Sequence, residues 1–301
     1  MPHPSPGATT PKPIQPLRGI RILSLALNVP GPMALQRLVA MGARCTKIEP
    51  PAGDPMRHYN PEAYAGIHQG IQVDQLDLRT EAHQLQLHKL LARTDVLLTS
   101  FRPSGLAKLG LSWKALHKRH PALAQVAIVG AHGARAEEPG HDLTYMAEND
   151  LVSGLDLPPT LYADMGGSLM ASEAVLQAVL QKQRSGKGVY LEVALASASA
   201  WLGLPRQWGM TLPRGAVGGA HAGYRVYPCK DGRVAVAALE PHFAAALCEV
   251  SGLTGSKGDA RLMFAPQTHA AVARCFASRT CAELDALGQA RDIPLHSLKD
   301  H

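Results

Sequence analysis

The sequence of 301 residues lacks the features that mark secreted, membrane-spanning or metal-binding proteins. Its five cysteines form no C-x-x-C pair and are odd in number, which argues against a disulfide framework and against a zinc site. No apolar run approaches the roughly 20 residues of a membrane-spanning helix. The proline-rich start also lacks the apolar core of a signal peptide. We therefore expect a cytoplasmic protein with no membrane partner and no metal ion.

Aromatic residues are scarce and positive charge is spread thinly. Aromatics make up 5% of the chain, which leaves little material for stacking nucleic-acid bases. The net charge is +6, but the lysines and arginines are dispersed and form no long basic run. A small anionic ligand fits this balance better than a nucleic acid does, although an ordinary solvated surface explains the charge equally well.

Two common cofactor and catalytic motifs are also missing. No G-x-G-x-x-G follows the first predicted strand, so NAD or FAD binding has no motif behind it. No G-x-S-x-G occurs, which argues against a serine hydrolase of the α/β type. The fold and the function must therefore be inferred from other patterns.

Apolar runs alternate with helical patterns along the first two thirds of the chain. This rhythm is typical of a parallel sheet with crossover helices, and it predicts a Rossmann-like α/β domain. The predicted strands are 19–27, 45–50, 71–78, 95–100, 124–130 and 189–195. The predicted helices are 30–41, 80–94, 112–120 with Ser112 as the N-cap, and 168–183.

The residue composition changes after Ala196, where glycine and proline become frequent. The stretch "YRVYPCKDGRVAVAAL" predicts two strands joined at Lys230-Asp231-Gly232, and Glu240-Pro241 predicts the start of a helix. We expect a smaller α+β domain in this part. The predicted organisation is a disordered proline-rich tail (1–17), a large domain (18–195), a linker (196–223), a small domain (224–285) and a return segment (286–301).

Two carboxylates and one histidine draw attention by their positions. His141 follows Gly140 in Gly-His-Asp, and Asp164 precedes Met165-Gly166-Gly167 at the start of a helical run. A histidine and a carboxylate at such places suit proton or acyl transfer at an activated carbonyl, with glycine amides stabilising an oxyanion. On spacing alone, a loop cap and a helix N-cap are the stronger interpretations. Glu240 has a similar alternative as a helix-start carboxylate, worth under about 1 kcal/mol.

Several motifs, spread in order over residues 16–252 and in weaker form to 298, resemble the family III CoA-transferases of the CaiB/BaiF type. This group also holds formyl-CoA transferase, the carnitine CoA-transferases and α-methylacyl-CoA racemase. The resemblance implies a Rossmann-like large domain that binds CoA, a smaller domain, and an interlocked homodimer. The motifs are "PLRGIRILSL", "GPMALQRLVAMGARCTKIEPPAGDPMR", "DVLLTSFRPSGLAKLGLSW", "GHDLTYMA", "ADMGGSLMA", "QRSGKGVYLEVAL" and "YRVYPCKDGRVAVAALEPHF".

The resemblance assigns roles to the conspicuous residues. In the transferases, an aspartate at the position of Asp164 attacks the acyl-CoA thioester to form a mixed anhydride. In the racemase branch, that aspartate and the histidine at His141 are bases on opposite faces of the α-carbon, and the Glu240 position joins them. All three racemase features are present here, so the resemblance favours proton transfer at C2 of a 2-methylacyl-CoA. The amides of Gly166 and Gly167 would hold the enolate.

One stretch departs from the family pattern. The segment "GIHQGIQVDQLDL" has no cation where relatives have Lys-Arg residues that face the CoA phosphates. We expect Arg57 and Arg102 to bind the phosphates instead, with Asn28 and Pro30 in the same CoA site and no cofactor beyond the CoA of the substrate. Two alternatives stay open: a CoA-transferase that works through an Asp164 acyl anhydride, and a degenerate relative that binds acyl-CoA without catalysis.

Overall fold

The structure, a computed structural model, describes residues 14–253 and 260–299. The chain divides into two compact units, with the boundary between Gly203 and Leu204. Most of the predicted proline-rich tail lies outside the described residues, as do residues 254–259 of the predicted small domain and the last two residues of the predicted return segment.

The first unit is built on a six-stranded parallel sheet with the order β3-β2-β1-β4-β5-β6. The central strands β4 and β5 are buried along their whole length, which explains why both read as continuous apolar runs. The strands are β1 (Arg21–Ser24), β2 (Arg44–Glu49), β3 (Gln72–Gln75), β4 (Val96–Thr99), β5 (Ala124–Val129) and β6 (Tyr190–Ala194).

Helices cover both faces of this sheet. Their bounds are α1 (Pro30–Ala40), α2 (Met56–Tyr59), α3 (Pro61–Ile67), α4 (Glu81–Leu91), α5 (Pro103–Lys108), α6 (Trp113–Arg119), α7 (Asp142–Glu148), α8 (Tyr162–Ser185) and α9 (Leu195–Leu202), with a 3-10 turn at Gly133–Glu137. The predicted cap of α6 is confirmed, because the Ser112 hydroxyl accepts a hydrogen bond from the Ala115 amide.

Two apolar clusters fill the layers on either side of the sheet. On one side, Ile22 of β1 packs in a cluster with Leu35 of α1 and Val175 of α8. On the other side, the next residue of β1, Leu23, packs in a cluster with Leu87 of α4. Successive residues of a strand point to opposite faces, so one short strand contributes to both clusters. The predicted α/β class with a Rossmann-like sheet is confirmed.

The second unit holds a three-stranded antiparallel sheet with the order β7-β8-β9. The predicted hairpin is present, since Cys229 at the end of β7 pairs with Gly232 at the start of β8. The elements are α10 (Leu204–Gln207), β7 (Tyr224–Cys229), β8 (Gly232–Ala237), α11 (Pro241–Val250), α12 (Pro266–Ala277), α13 (Cys281–Arg291) and β9 (Leu295–Lys299), with 3-10 turns at Ala216–Gly218 and Ala260–Phe264.

Two segments of the chain are more ordered than the sequence patterns indicated. The stretch predicted as a linker begins with helix α9, whose residues include neither glycine nor proline and which packs on α8. The stretch predicted as a return segment completes α13 and forms β9, which pairs with β8. Among the described residues, no helix is both long enough and apolar enough to cross a membrane.

Candidate active site

A cavity of about 270 Å³ lies where strands β1, β4 and β5 end. Ligands of open parallel sheets bind at this edge, because the loops that follow the strands meet there. Five of the residues predicted from the sequence line the cavity: Asn28, Pro30, Arg102, His141 and Asp164. The lining also includes Leu27, Ser100, Phe101, Ile128, Val129, Gly130, Ala136, Glu138, Gly140, Tyr145 and Leu195.

His141 is held at the cavity by its main chain. It is the N-cap residue of α7, and its backbone amide donates to the Thr144 hydroxyl at 3.0 Å while its carbonyl accepts from that hydroxyl at 2.7 Å. The interpretation as a helix cap is therefore correct for the backbone. The side chain is exposed and lines the cavity, so its imidazole is accessible to a bound molecule.

Asp164 is the third residue of α8, not its N-cap, which is Leu161. Its backbone amide donates to the Asp142 carboxylate at 2.9 Å, so the aspartate of Gly-His-Asp lies directly beside it. Burial, and next the negative charge of Asp142, raise the pKa of Asp164 to about 7. A carboxyl group with this pKa can both accept and release a proton near neutral pH.

Tyr145 is a cavity residue that the sequence patterns did not reveal. A Cβ atom added at Gly130 would lie 2.3 Å from its hydroxyl oxygen, and one added at Gly140 would lie 2.4 Å away. These glycines therefore make the space that the phenol fills. Burial, and next the charge of Asp164, raise the pKa of Tyr145, so the group stays a hydroxyl donor. Gly130 and Gly140 were the sequence signal that could have pointed to Tyr145.

Asn28 is fixed by a buried carboxylate behind the cavity wall. Its backbone has a positive φ of 61°, which is uncommon for a residue other than glycine. Its backbone amide donates to both carboxylate oxygens of Asp54, at 3.1 and 3.0 Å. Asp54 is fully buried and also accepts from the amide of Met56. One carboxylate thus sets the path of the loop after β1.

Asp54 belongs to a buried charge cluster centred on Lys47. The Lys47 ammonium contacts Asp54, lies 3.0 Å from Glu49 Oε1, and lies 2.8 Å from His68 Nε2. His68 Nδ1 faces the Tyr64 carbonyl at 2.7 Å and must donate to it, so Nε2 accepts from Lys47. All three ammonium protons are used. Glu49, Asp54 and His68 are close enough to bind a metal ion, but Lys47 occupies the space between them.

The glycines after Asp164 do not form the oxyanion hole that the sequence suggested. Gly166 and Gly167 are the fifth and sixth residues of α8, where an amide donates to the carbonyl four residues earlier. A Cβ at Gly166 would lie 3.0 Å from Leu202, and one at Gly167 would lie 2.3 Å from Leu195. The glycines are therefore needed for close packing of α9 on α8, and their amides are not available to an enolate.

Two further predicted site residues lie elsewhere in the described chain. Arg57 is exposed on α2, with its guanidinium 5.8 Å from the centre of the Tyr64 ring, and it is not among the residues that line the cavity. Glu240 is the exposed N-cap residue of α11 in the second unit. Their roles in binding and catalysis stay predictions.

Known proteins resemble this chain over much of its length. Over 211 residues it is 32% identical to a probable fatty acyl-CoA transferase, Rv3272, of Mycobacterium tuberculosis, covering 64% of this chain and 54% of the relative. It is 32% identical to succinyl-CoA–D-citramalate CoA-transferase of Chloroflexus aurantiacus, covering 61% and 50%. The chain thus spans about half the length of these two relatives. Over 287 residues it is 30% identical to alpha-methylacyl-CoA racemase of Mus musculus, covering 89% and 73%.

Solved structures share the fold. The crystal structure of the Mycobacterium tuberculosis protein Rv3272 matches with a TM-score of 0.79 and 28% identity, over 96% of this chain and 86% of that one. Residues 17–301 match the family described as CoA-transferase family III. The resemblance inferred from the motifs is therefore confirmed, and the chain belongs to CoA-transferase family III.

Proposed function

We propose that this protein is an acyl-CoA isomerase that transfers a proton at C2 of a 2-methylacyl-CoA, with His141 and Asp164 as the two bases. The observation that carries the proposal is that both side chains line one cavity while the pKa of Asp164 is raised to about 7. General acid–base catalysis is most effective when the pKa lies near the working pH. The 30% identity to a racemase over 89% of the chain supports the same reaction class.

In this mechanism one base removes the C2 proton and the other returns a proton to the opposite face. The electron pair of the broken C–H bond moves into the thioester and leaves a negative oxygen. Because Gly166 and Gly167 are engaged in α8, support for this charge must come from elsewhere, and the first turn of α8 carries a partial positive charge next to Asp164. The reaction needs no cofactor beyond the CoA of the substrate.

We expect CoA to bind at the same cavity. Arg102 is exposed at the N-cap of α5 and lines the cavity together with Asn28 and Pro30. An arginine there suits a phosphate of CoA. We expect Arg102→Ala to weaken CoA binding and reduce its salt dependence, and a matched titration of Arg57→Ala tests whether that more distant arginine contributes. Unchanged affinity in both variants would refute these phosphate assignments.

The reaction is tested by incubating one enantiomer of a 2-methylacyl-CoA with the protein in deuterated water and measuring C2 deuterium by mass spectrometry. Removing a general base typically lowers a rate by about 10²–10⁴-fold. In His141→Ala, we expect exchange from one enantiomer to survive in part while inversion is lost. His132→Ala is the matched control, because this exposed histidine pairs with Glu192 outside the cavity. Normal inversion in His141→Ala contradicts the two-base assignment.

The second candidate is a CoA-transferase with Asp164 as nucleophile. It is favoured by the 32% identity to two transferases and by an acidic side chain that reaches the cavity. Hydroxylamine traps an acyl group on Asp164 if the mixed anhydride forms. A trapped adduct without C2 exchange supports the transferase. Neither result in the intact protein supports a relative that binds acyl-CoA without catalysis.

We also propose that the chain forms a homodimer. Large apolar side chains on α8 and α9 are exposed, with Leu169 at 49%, Trp201 at 64% and Leu202 at 42%. They line one groove of the first unit, and apolar surface of this kind commonly marks an interface. Trp201→Lys should shift the sedimentation coefficient from dimer towards monomer. A wild-type chain that sediments as a compact monomer at micromolar concentration would contradict this proposal.

A further inference from the structure

Two thiols of the second unit lie in contact with each other. Cys229 ends β7, Cys281 is the first residue of α13, and their sulfur atoms are 3.6 Å apart. Cys229 is half-buried and Cys281 is fully buried. A disulfide bond requires about 2.05 Å between the sulfurs, so a displacement of roughly 1.5 Å closes the gap.

The backbone already holds the two segments together in the reduced protein. The Cys281 amide donates to Asp231 Oδ1 at 2.6 Å, and the Lys230 amide donates to the Arg279 carbonyl at 2.9 Å. Both bonds join the tip of the β7–β8 hairpin to the residues around the start of α13. The sulfurs are therefore kept near each other by groups that do not depend on a covalent bond.

The remaining cysteines have different neighbours. Cys248 contacts the thioether of Met263 at 3.6 Å, and Cys275 faces the Val250 carbonyl at 3.3 Å. Cys45 faces the Leu35 carbonyl. Among the described residues, Cys229 and Cys281 are the thiols in contact with one another.

We propose that Cys229 and Cys281 form a reversible disulfide when the protein meets a small disulfide oxidant such as oxidised glutathione. A zinc site is the competing use of this cluster, because Cys229, Asp231 and Cys281 lie close enough to share an ion. Structural zinc sites take four protein ligands, whereas this cluster has three within the described chain. The Asp231 carboxylate also accepts a hydrogen bond from the Cys281 amide, and the positive charge of Lys299 helps to lower its pKa. These contacts favour thiol oxidation over metal binding.

The exchange balances in two steps. The thiolate of the more accessible Cys229 attacks one sulfur of the oxidant, and a glutathione thiolate leaves with the electron pair of the broken bond. Cys281 then loses its proton and attacks the Cys229 sulfur, which releases the second glutathione. Two protein thiols are oxidised, one glutathione disulfide is reduced to two thiols, and the two protons pass to them. Burial and the neighbouring Cys229 thiol raise the pKa of Cys281 to about 11, so the second step accelerates with pH.

The bond would close a long loop within the second unit. The two cysteines are 52 positions apart and enclose β8, α11 and α12. Closing such a loop removes freedom mainly from the unfolded chain. We expect the thermal midpoint of the oxidised protein to rise by at least about 5 °C and to return on reduction.

The test uses the full chain with oxidised glutathione, followed by intact mass measurement, peptide mapping without reductant and thermal unfolding. We expect the wild type and the control Cys248→Ser to lose two hydrogen masses and to yield a peptide that links Cys229 to Cys281. Cys229→Ser should form no such link. Cys281→Ser should retain a glutathione adduct on Cys229, because no second thiol is present to displace it.

Three results would overturn the proposal. The first is a wild-type protein whose two thiols stay free, or stay as glutathione adducts, at every pH up to 9. The second is a link between other cysteines. The third is stoichiometric zinc binding that is lost in Cys229→Ser and that blocks oxidation. Should Cys281→Ser fail to fold, the wild-type peptide map and Cys229→Ser decide the question without it.

Discussion

Asp54 and Asp164 are two carboxylates of the first unit that serve the same cavity in opposite surroundings. Asp54 is fully buried, contacts the Lys47 ammonium and accepts the amides of Asn28 and Met56. Asp164 lies beside Asp142, and burial and this like charge both raise its pKa to about 7. Asp54 lies in the loop after β2, and Asp164 lies in the first turn of α8.

This difference distinguishes a structural carboxylate, Asp54, from the proposed catalytic carboxylate, Asp164. Asp54, which contacts a cation and accepts from backbone amides, holds the loop after β1. A carboxylate whose ionisation is opposed exchanges a proton readily near neutral pH. A compensated charge, that of Asp54, therefore supports the loop that lines the cavity, and the proposed reactive group, Asp164, is an uncompensated one.

Removing the Lys47 cation, which compensates Glu49 and Asp54, should have the largest effect on stability. Lys47→Met leaves Glu49 and Asp54 buried without their cation, and breaking a buried pair in this way costs about 3–5 kcal/mol of unfolding free energy. Lys182→Met is the matched control, because its pair with Asp95 is partly exposed and worth under about 1 kcal/mol. Urea unfolding measures both. Equal costs would mean that burial of the Lys47 cluster does not matter.

Removing the uncompensated carboxylate should instead stabilise the protein. Asp164 titrates near 3.8 in the unfolded chain and near 7 in the folded one, so the folded state binds more protons between these values and loses stability as pH rises through them. Asp164→Asn should gain little near pH 4 and about 2–4 kcal/mol above pH 7. Thermal unfolding across pH measures the gain. A variant less stable than wild type at pH 8 would contradict the raised pKa.

Asp142→Asn sharpens the comparison by removing the second cause alone. The pKa of Asp164 should fall below about 7 but stay above its ordinary value of 3.8, because burial is the larger cause and remains. The acid limb of the pH profile of C2 exchange reports this shift. Glu138→Gln is the control, since Glu138 also lines the cavity and pairs with Arg135. An unchanged pH profile in Asp142→Asn would contradict the claim that Asp142 raises the pKa of Asp164.

The smallest effect is expected at Asn28, where the compensated carboxylate acts on the backbone. Asn28→Gly should keep stability and CoA binding, because the left-handed conformation and the amide bonded to Asp54 both remain. Asn28→Ala should cost about 1–2 kcal/mol, since alanine is strained at this φ. Chemical unfolding and calorimetric titration with CoA measure the pair. Loss of binding in Asn28→Gly would show that the amide side chain, not the loop path, holds CoA.

Much of the first unit was predictable because strand and helix periodicity is local. The strands that became β1 to β6 and the hairpin of the second unit follow directly from their apolar patterns. Helix α9 was missed because "LASASAWL" is short and has no cap signal. Strand β9 was missed because it pairs with β8 across a long stretch of chain, which local patterns do not record.

Part of the lining of the candidate cavity was predictable from the sequence, but its electrostatics were not. The motifs pointed to His141 and Asp164, and both line the cavity. They did not reveal that Asp142 lies beside Asp164, or that Lys47 is enclosed by Glu49, Asp54 and His68. The oxyanion role of Gly166 and Gly167 was inferred from a helix predicted to start at residue 168, whereas α8 already begins at Tyr162. Charges that meet only after folding set these properties.

The most direct test of the proposed role of Asp164 is the pH profile of C2 deuterium exchange in a 2-methylacyl-CoA by the wild-type protein, with Asp164→Asn measured beside it. For the enantiomer whose exchange survives in His141→Ala, the account predicts a rate that changes with an apparent pKa near 7 in the wild type and falls by at least about 10²-fold in Asp164→Asn. An inflection near pH 4, or exchange that persists undiminished in Asp164→Asn, would contradict it.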